Sequence, residues 1–250
     1  MTKKKIKKMN PENFELQTST VWSFPRRGNW ATHNSKYRGN WSPDVVRNLI
    51  LRNTEERDLL LDPMIGWGTT AVECKLLNRN LIAYDINPNA ISLTKEVLDF
   101  EYESKSEIIL EKWNAKDKVK KLDENSVDFI LNHPPYADII KYSDWIKWDL
   151  SQIHDLDKFC DEYEKTIKEL YRVLKPWKFC AILIWDTRRQ KMYQPMAFMV
   201  MQRFLKCWFK LKEDIVKVQH NCQATGYWKT NSIKYNFLLI MHEHLFIFQK

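Results

Sequence analysis

The sequence predicts an α/β protein: a doubly wound, mostly parallel sheet whose C-terminal edge is closed by an antiparallel pair of strands. Three observations carry this. From Leu59 onward, short apolar runs of strand length alternate with stretches of helical periodicity. The loop Asp62-Pro-Met-Ile-Gly66-Trp-Gly68-Thr-Thr70 joins the first such run to the next helical stretch, the place where a doubly wound sheet turns. Finally, Asp214 to Gln219 and Phe237 to Phe248 read as consecutive strands at the end of the chain, the second broken near His242.

Each element has its own reason. Residues 10–41 are rich in aromatics, Arg, Asn and Gly and show no clear periodicity. Ser42-Pro43-Asp44 reads as an N-cap, a proline at the first helical position and an acidic first turn, with Val45, Val46, Leu49 and Ile50 as the apolar face. Leu59 to Asp62 is a short buried strand, Thr69 to Leu77 a helix and Leu81 to Asp85 the next strand. A helix follows from Pro88 to Phe100, then strands at Ile108 to Trp113 and Val127 to Leu131. Between Asp157 and Leu174, Phe159, Tyr163, Ile167, Leu170, Tyr171 and Leu174 recur at three- and four-residue spacing, and Lys175-Pro176 stops that helix. Phe179 to Ile184 is a strand, and Gln194 to Cys207 a helix.

Composition sets outer limits. With 44% apolar and 29% charged residues, the chain reads as an ordinary globular protein. It has no apolar run of membrane-spanning length and no export signal, so no membrane is involved and a cytoplasmic location is the default. The five cysteines are scattered and never spaced as C-x-x-C, which argues against disulfides and zinc; no metal is expected. His242 and His244 lack an evident third ligand and read as structural. A formal charge of +8 suits an anionic partner, and five lysines among the first eight residues suggest a solvated tail or an arm on phosphates. With no internal repeat or linker, residues 1–12 read as a disordered basic tail and 13–250 as a single domain.

Two motifs carry chemistry. The Gly66–Gly68 loop brings bare backbone to a helix N-terminus, and Asp85 ends the next strand about twenty residues on, where an acid can bind both hydroxyls of a ribose. Val127 to Asn132 is an apolar strand running into His133-Pro134-Pro135-Tyr136. Prolines there fix φ and leave their carbonyls free to accept hydrogen bonds from an amino group, while Tyr136 can stack on a base.

The loop resembles the D-P-F-x-G-x-G-T-T cofactor loop of the amino-methyltransferases of DNA: Asp62, Pro63, Gly66, Gly68, Thr69 and Thr70 match, and Met64 replaces Phe. Asn40-Trp-Ser42-Pro43 and Arg47-Asn-Leu-Ile50 fit the segment that holds the methionine end of the cofactor in that family. Asn114-Ala-Lys-Asp117 resembles the acidic segment lying against the adenine. The second motif is similar to (Asp/Asn/Ser)-Pro-Pro-(Tyr/Phe/Trp), with His133 in the first slot. There a neutral imidazole accepts a hydrogen bond and a protonated one does not, and Asn132 is placed to share the role. The order of motifs, cofactor segment first, and Trp22-Ser-Phe-Pro, Tyr37-Arg-Gly-Asn-Trp41 and Asp186-Thr-Arg-Arg189 look like a compact family of small DNA methylases.

The resemblance implies a Rossmann-like methyltransferase sheet, S-adenosylmethionine as cofactor, and transfer to adenine N6 or cytosine N4 in duplex DNA. A cognate restriction endonuclease is the implied partner of such an enzyme. Two other readings stay open: an RNA base methyltransferase, and a nucleic-acid-binding homologue that has lost transfer. Recognition would come from residues 14–40, 137–155 and the loop around Asn221 to Tyr235, with Arg26, Arg27, Arg38, Arg188 and Arg189 as contacts to phosphate or guanine.

The eleven Trp stand against only five Gly, where Gly ordinarily runs near ~7%. Trp67, Trp113, Trp145, Trp148, Trp177, Trp185 and Trp208 occupy places where this fold or family would carry glycine. We read these seven as glycine codons (UGA) decoded as tryptophan; UGG codons at those sites would overturn the reading. The expected costs are an indole obstructing the cofactor at Trp67 and strain wherever the backbone needs positive φ.

Overall fold

A computed structural model describes residues 6, 8–34, 40–135, 146, 149–220 and 225–250. In chain order the elements are β1 (Val21–Ser23), α1 (Pro43–Asn53), β2 (Leu59–Asp62), α2 (Thr69–Leu76), β3 (Asn80–Asp85), α3 (Pro88–Leu98), β4 (Ile108–Lys112), α4 (Ala115–Val119) and β5 (Val127–Asn132). Then follow α5 (Leu156–Val173), β6 (Leu174–Ile184), β7 (Thr187–Arg189), β8 (Met192–Gln194), α6 (Met196–Lys206), β9 (Lys210–Val218), α7 (Thr225–Lys234) and β10 (His242–Gln249).

Eight strands form one sheet in the order β1-β9-β10-β6-β5-β2-β3-β4, and β7 pairs with β8 as a separate hairpin. The ladders from β6 to β4 are all parallel, and β10 is antiparallel to both β6 and β9. The expected mostly parallel sheet with its C-terminal antiparallel pair is therefore present. One strand of this sheet was not foreseen: β1 adds to β9 in parallel and forms the outermost rung. It buries only Trp22 of its three residues, too little to show an alternation.

Every residue of β5 is buried, as expected of a central strand covered on both faces. On one face α5 presents Phe159, Tyr163, Ile167 and Leu170, which pack with Phe204 of α6. On the other, Val45, Leu49 and Ile50 of α1 pack with Ala71 and Cys74 of α2. Each fully buried large apolar side chain stabilises this sandwich by about 1.5–3 kcal/mol. Strand order reverses between β2 and β5, so the crevice beyond their C-terminal ends is where ligands bind in such sheets.

Three expectations change. Residues 8–12 do not belong to a free tail: the Lys8 carbonyl accepts from Ala31 N at 2.7 Å, and Asn10 Oδ1 accepts from Arg47 at 2.9 Å. Residues 1–5 and 7 lie outside the described residues. Ser42 caps α1 in position only, because its hydroxyl donates to Asp44 Oδ2 at 2.6 Å instead of accepting from the helix. And β6 begins at Leu174, through the Lys175-Pro176 stop: its register against β5 slips between Val127 and Phe129, and a bulge tolerates a proline.

Of the seven anomalous tryptophans, Trp177 (φ 65°) lies in that bulge and Trp208 (φ 67°) follows α6; both are left-handed and more than two-thirds exposed. The Trp208 N–H donates to Leu205 O and the Phe209 N–H to Phe204 O, the pair of bonds that ends a helix on a left-handed residue, most often glycine. Trp67, Trp113 and Trp185 are not at positive φ. Trp145 and Trp148 lie outside the described residues.

Candidate active site

After Asp62 the chain turns under the end of β3, where Ile65 N donates to Tyr84 O at 2.9 Å. Gly66 (φ 53°) and Gly68 (φ 82°) are both left-handed, and Gly68 caps α2. Thr94 of α3 clamps this loop: its hydroxyl donates to Gly66 O at 3.0 Å, and its side chain stands 2.7 Å from where a Cβ on Gly68 would be. Asp85 ends β3 with one carboxylate oxygen accepting from Gly66 N at 2.9 Å and the other from Asn87 N at 2.8 Å. Burial raises its pKa to about 6; the two backbone bonds pull the other way, and Asp149 adds to the rise. Asp62 is buried at the end of β2, accepts from Met64 N at 3.1 Å, and is raised to about 7, again mainly by burial.

A cleft of about 970 Å³, including its open mouth, lies over these strand ends. Pro63, Gly66 and Asp85 line it, and so does Trp67. His133 and Pro135 form its other wall. The two motifs, about seventy residues apart in sequence, therefore meet in one cavity.

Several expected site residues support the cleft from behind. Thr69 is buried and donates its hydroxyl to Asn40 Oδ1 at 2.6 Å, so the segment before α1 is held by the loop. Asn40 and Trp41 reach the cleft, while Ser42 and Pro43 are not among its lining. Thr70 is buried beneath the loop. Asn114 and Lys116 line the cleft, whereas Asp117 is not among its lining and borders a separate surface recess with Lys165 and Lys168.

On the His133 wall, the Trp41 ring meets the His133 ring edge to face, centroids 5.2 Å apart. Burial lowers the His133 pKa to about 4; nearby Glu243 opposes this and Lys217 reinforces it. The imidazole is thus neutral at pH 7, the form that can accept. Pro134 is buried and Pro135 is partly exposed. Asn132 is wholly buried, donating its amide to Tyr163 OH at 2.6 Å, and its Oδ1 has no hydrogen-bond partner among the described residues. Tyr136 lies outside the described residues, as do Tyr37, Arg38 and Asn221.

Other residues take structural roles. The Arg27 guanidinium donates to the carbonyls of Asn40 and Trp41, and burial lowers its pKa to about 10. Buried Glu73 accepts from Trp30 at 2.6 Å and Arg47 at 2.7 Å, tying the N-terminal segment to α1 and α2. His244 pairs with Asp214 at 2.9 Å, and no cluster able to hold a metal is found among the described residues.

Sequence reading missed the wall formed by Asp149, Leu150, Glu162 and Thr166. Glu162 and Thr166 sit one turn apart on α5, a spacing visible in the sequence, but nothing marked that polar stripe as facing a cavity and not solvent.

A family model described as DNA methylase matches residues 1–96. The Type II methyltransferase M.HpaI of Haemophilus parainfluenzae is 38% identical over 85 residues, 34% of this chain and 27% of its own length. M2.MboI of Moraxella bovis is 31% identical over 87 residues, 35% of this chain and 32% of its own length. The chain thus spans about a third or less of these relatives. Among solved structures, TrmN from Thermus thermophilus superposes with TM-score 0.56 at 18% identity, covering 85% of this chain and 50% of its own. A SAM-dependent methyltransferase from Methanosarcina mazei gives 0.53 at 17%, covering 81% and 96%. At such identities the structural likeness speaks to the fold alone.

Proposed function

We propose that this chain, which belongs with the DNA amino-methyltransferases, moves a methyl group from S-adenosylmethionine to the exocyclic amino nitrogen of a flipped adenine (N6) or cytosine (N4) in duplex DNA. The observation that carries this is the meeting of the Gly66–Asp85 loop and His133–Pro135 in one cleft. The residues present fit the cofactor: a Cβ at Gly66 would meet nothing within 4 Å, so the loop backbone is open to a ligand, and Asp85 stands beside it. Asp85 would accept the two ribose hydroxyls beside the open loop backbone, and Asn40 and Trp41, which reach the cleft, would hold the methionine end, with Ser42 and Pro43 behind them. Asn114 to Lys116, which line the cleft, would border the adenine.

When bound, the cofactor supplies an electrophilic methyl group on a sulfonium. A carbonyl of the Pro134-Pro135 turn would accept one of the two N–H bonds of the target amino group and orient its lone pair. Neutral His133 accepts a further N–H; with a pKa near 4 it orients the group and does not retain the proton, which passes to water. Tyr136, which lies outside the described residues, is the residue we propose to stack on the extruded base. Duplex DNA is the partner, and a cognate restriction endonuclease is the second partner we propose.

The test incubates the protein with methyl-labelled cofactor and either duplex DNA or RNA. Label in duplex DNA supports the reading, and mass spectrometry of the nucleosides then separates N6-methyladenine from N4-methylcytosine. Label in RNA alone, or nucleic-acid binding without transfer, refutes it.

A pH dependence follows from Asp85. With a pKa of about 6 before the cofactor binds, it is protonated below that value and an acceptor for both hydroxyls above it. Affinity for S-adenosylhomocysteine is therefore expected to rise roughly tenfold from pH 5 to pH 7, measured by calorimetry. A flat or inverted profile would remove Asp85 from the role.

A further inference from the structure

The sheet directions bring two unexplained segments to the edge that carries the base site. β5 and β6 run parallel, with Asn132 opposite Ile182, so the chain leaves β6 into the β7–β8 hairpin beside His133. β10 runs antiparallel to β6, with His244 opposite Ile184, so the chain from α7 into β10 arrives at the same edge. Arg188 joins the two: its Nε donates to Leu238 O at 2.9 Å, and its guanidinium lies 5.6 Å from the Phe237 ring. Lys191 of the hairpin turn stands 4.5 Å from the Tyr235 ring.

This unit is built unlike the rest of the protein. Residues 187–195 and 225–241 contain Arg188, Arg189, Lys191, Lys229 and Lys234 and no acidic residue, in a chain with 32 acids. The described side chains of α7 have no buried face: Tyr227 is 68% and Trp228 49% exposed, and Ile233 is 80% exposed. A helix with no buried side chain among its described residues, carrying aromatics and lysines with no acidic residue in its own segment, adds little to the core. Such a surface suits a polyanion that also offers flat π faces, as nucleic acid does.

We propose that the β7–β8 hairpin and α7 together grip duplex DNA beside the target base, cations on phosphates and α7 aromatics against bases next to the extruded one. This rests on the proposed methyltransferase reading and adds where the duplex sits. The charge complementarity and the shared edge with His133 select DNA over a protein partner.

The experiment measures binding of a fluorescein-labelled duplex of mixed sequence by anisotropy across a salt series, for the whole chain and two variants. In Lys191→Gln/Lys229→Gln/Lys234→Gln, the slope of log affinity against log salt is expected to shrink by about 2.7, about 0.9 for each of three lost phosphate contacts. In Tyr227→Ala/Trp228→Ala, affinity is expected to fall at least about fivefold with the salt slope kept, the size of one lost base stack. Both variants should keep the wild-type melting temperature and affinity for S-adenosylhomocysteine. Variants that bind the duplex with wild-type slope and affinity, in a protein whose wild type methylates DNA, overturn this surface alone. A wild-type protein that binds and methylates only RNA, or neither, overturns the surface and the methyltransferase reading together.

Discussion

Asp85→Ala is expected to weaken binding of S-adenosylmethionine and S-adenosylhomocysteine by at least about a hundredfold. In the proposed binding mode two ribose hydroxyls lose a charged acceptor, and a hydrogen bond to a charged group contributes about 1.5–3 kcal/mol. At about 1.4 kcal/mol per tenfold, two such bonds account for a factor of a hundred or more. The loop also suffers. The N–H groups of Gly66 and Asn87 lose their acceptor, and Gly66 is one of the two left-handed residues that shape the cleft. Asp85→Asn keeps one acceptor and so is expected to fall between wild type and Ala. Calorimetry with S-adenosylhomocysteine at pH 7.5 reads the result; an affinity for Asp85→Ala within threefold of wild type would place the ribose elsewhere.

This loop was also the most legible part of the sequence. Gly66, Gly68 and Asp85 are required by backbone geometry and by the spacing from one strand end to the next, and both constraints are written into the chain itself. The buried strand Val127–Asn132 and the long helix Leu156–Val173 were legible for a related reason: many buried side chains repeat with one period. The missed elements lack such repetition. β7 and β8 are three residues each with no buried side chain, and α7 has no apolar face, so periodicity has nothing to register. Placement of polar residues around the cleft was less legible still. Asn40 and Trp41 reach it while neighbouring Ser42 is turned to Asp44, and Asn132, next to His133, points away to Tyr163. One-residue differences of this kind are decided by packing across the sheet and not by the local sequence.

The left-handed positions make a prediction with two signs. Gly68→Ala puts a Cβ at φ 82°, costing about 1–2 kcal/mol, and drives it within 2.7 Å of Thr94 Cγ2 and 2.9 Å of its Oγ1. Thr94 cannot yield without releasing Gly66 O, so the loop shifts. A total loss of about 3 kcal/mol is expected, a fall of roughly 6–12 °C in melting temperature for a chain of this size, together with loss of cofactor binding. Trp208→Gly and Trp177→Gly reverse the situation. Each removes a side chain from φ near 65°, and each indole is more than two-thirds exposed, so little packing is lost; the clearest is the Tyr171 ring against Trp208 at 5.9 Å. Relief of the left-handed strain exceeds the added chain entropy of glycine, and each is expected to stabilise by about 1 kcal/mol, or roughly 2–4 °C. Thermal denaturation of the three variants decides it. If both tryptophan replacements lower the melting temperature, the side chains are part of this fold's packing, and glycine is not what these two backbones call for.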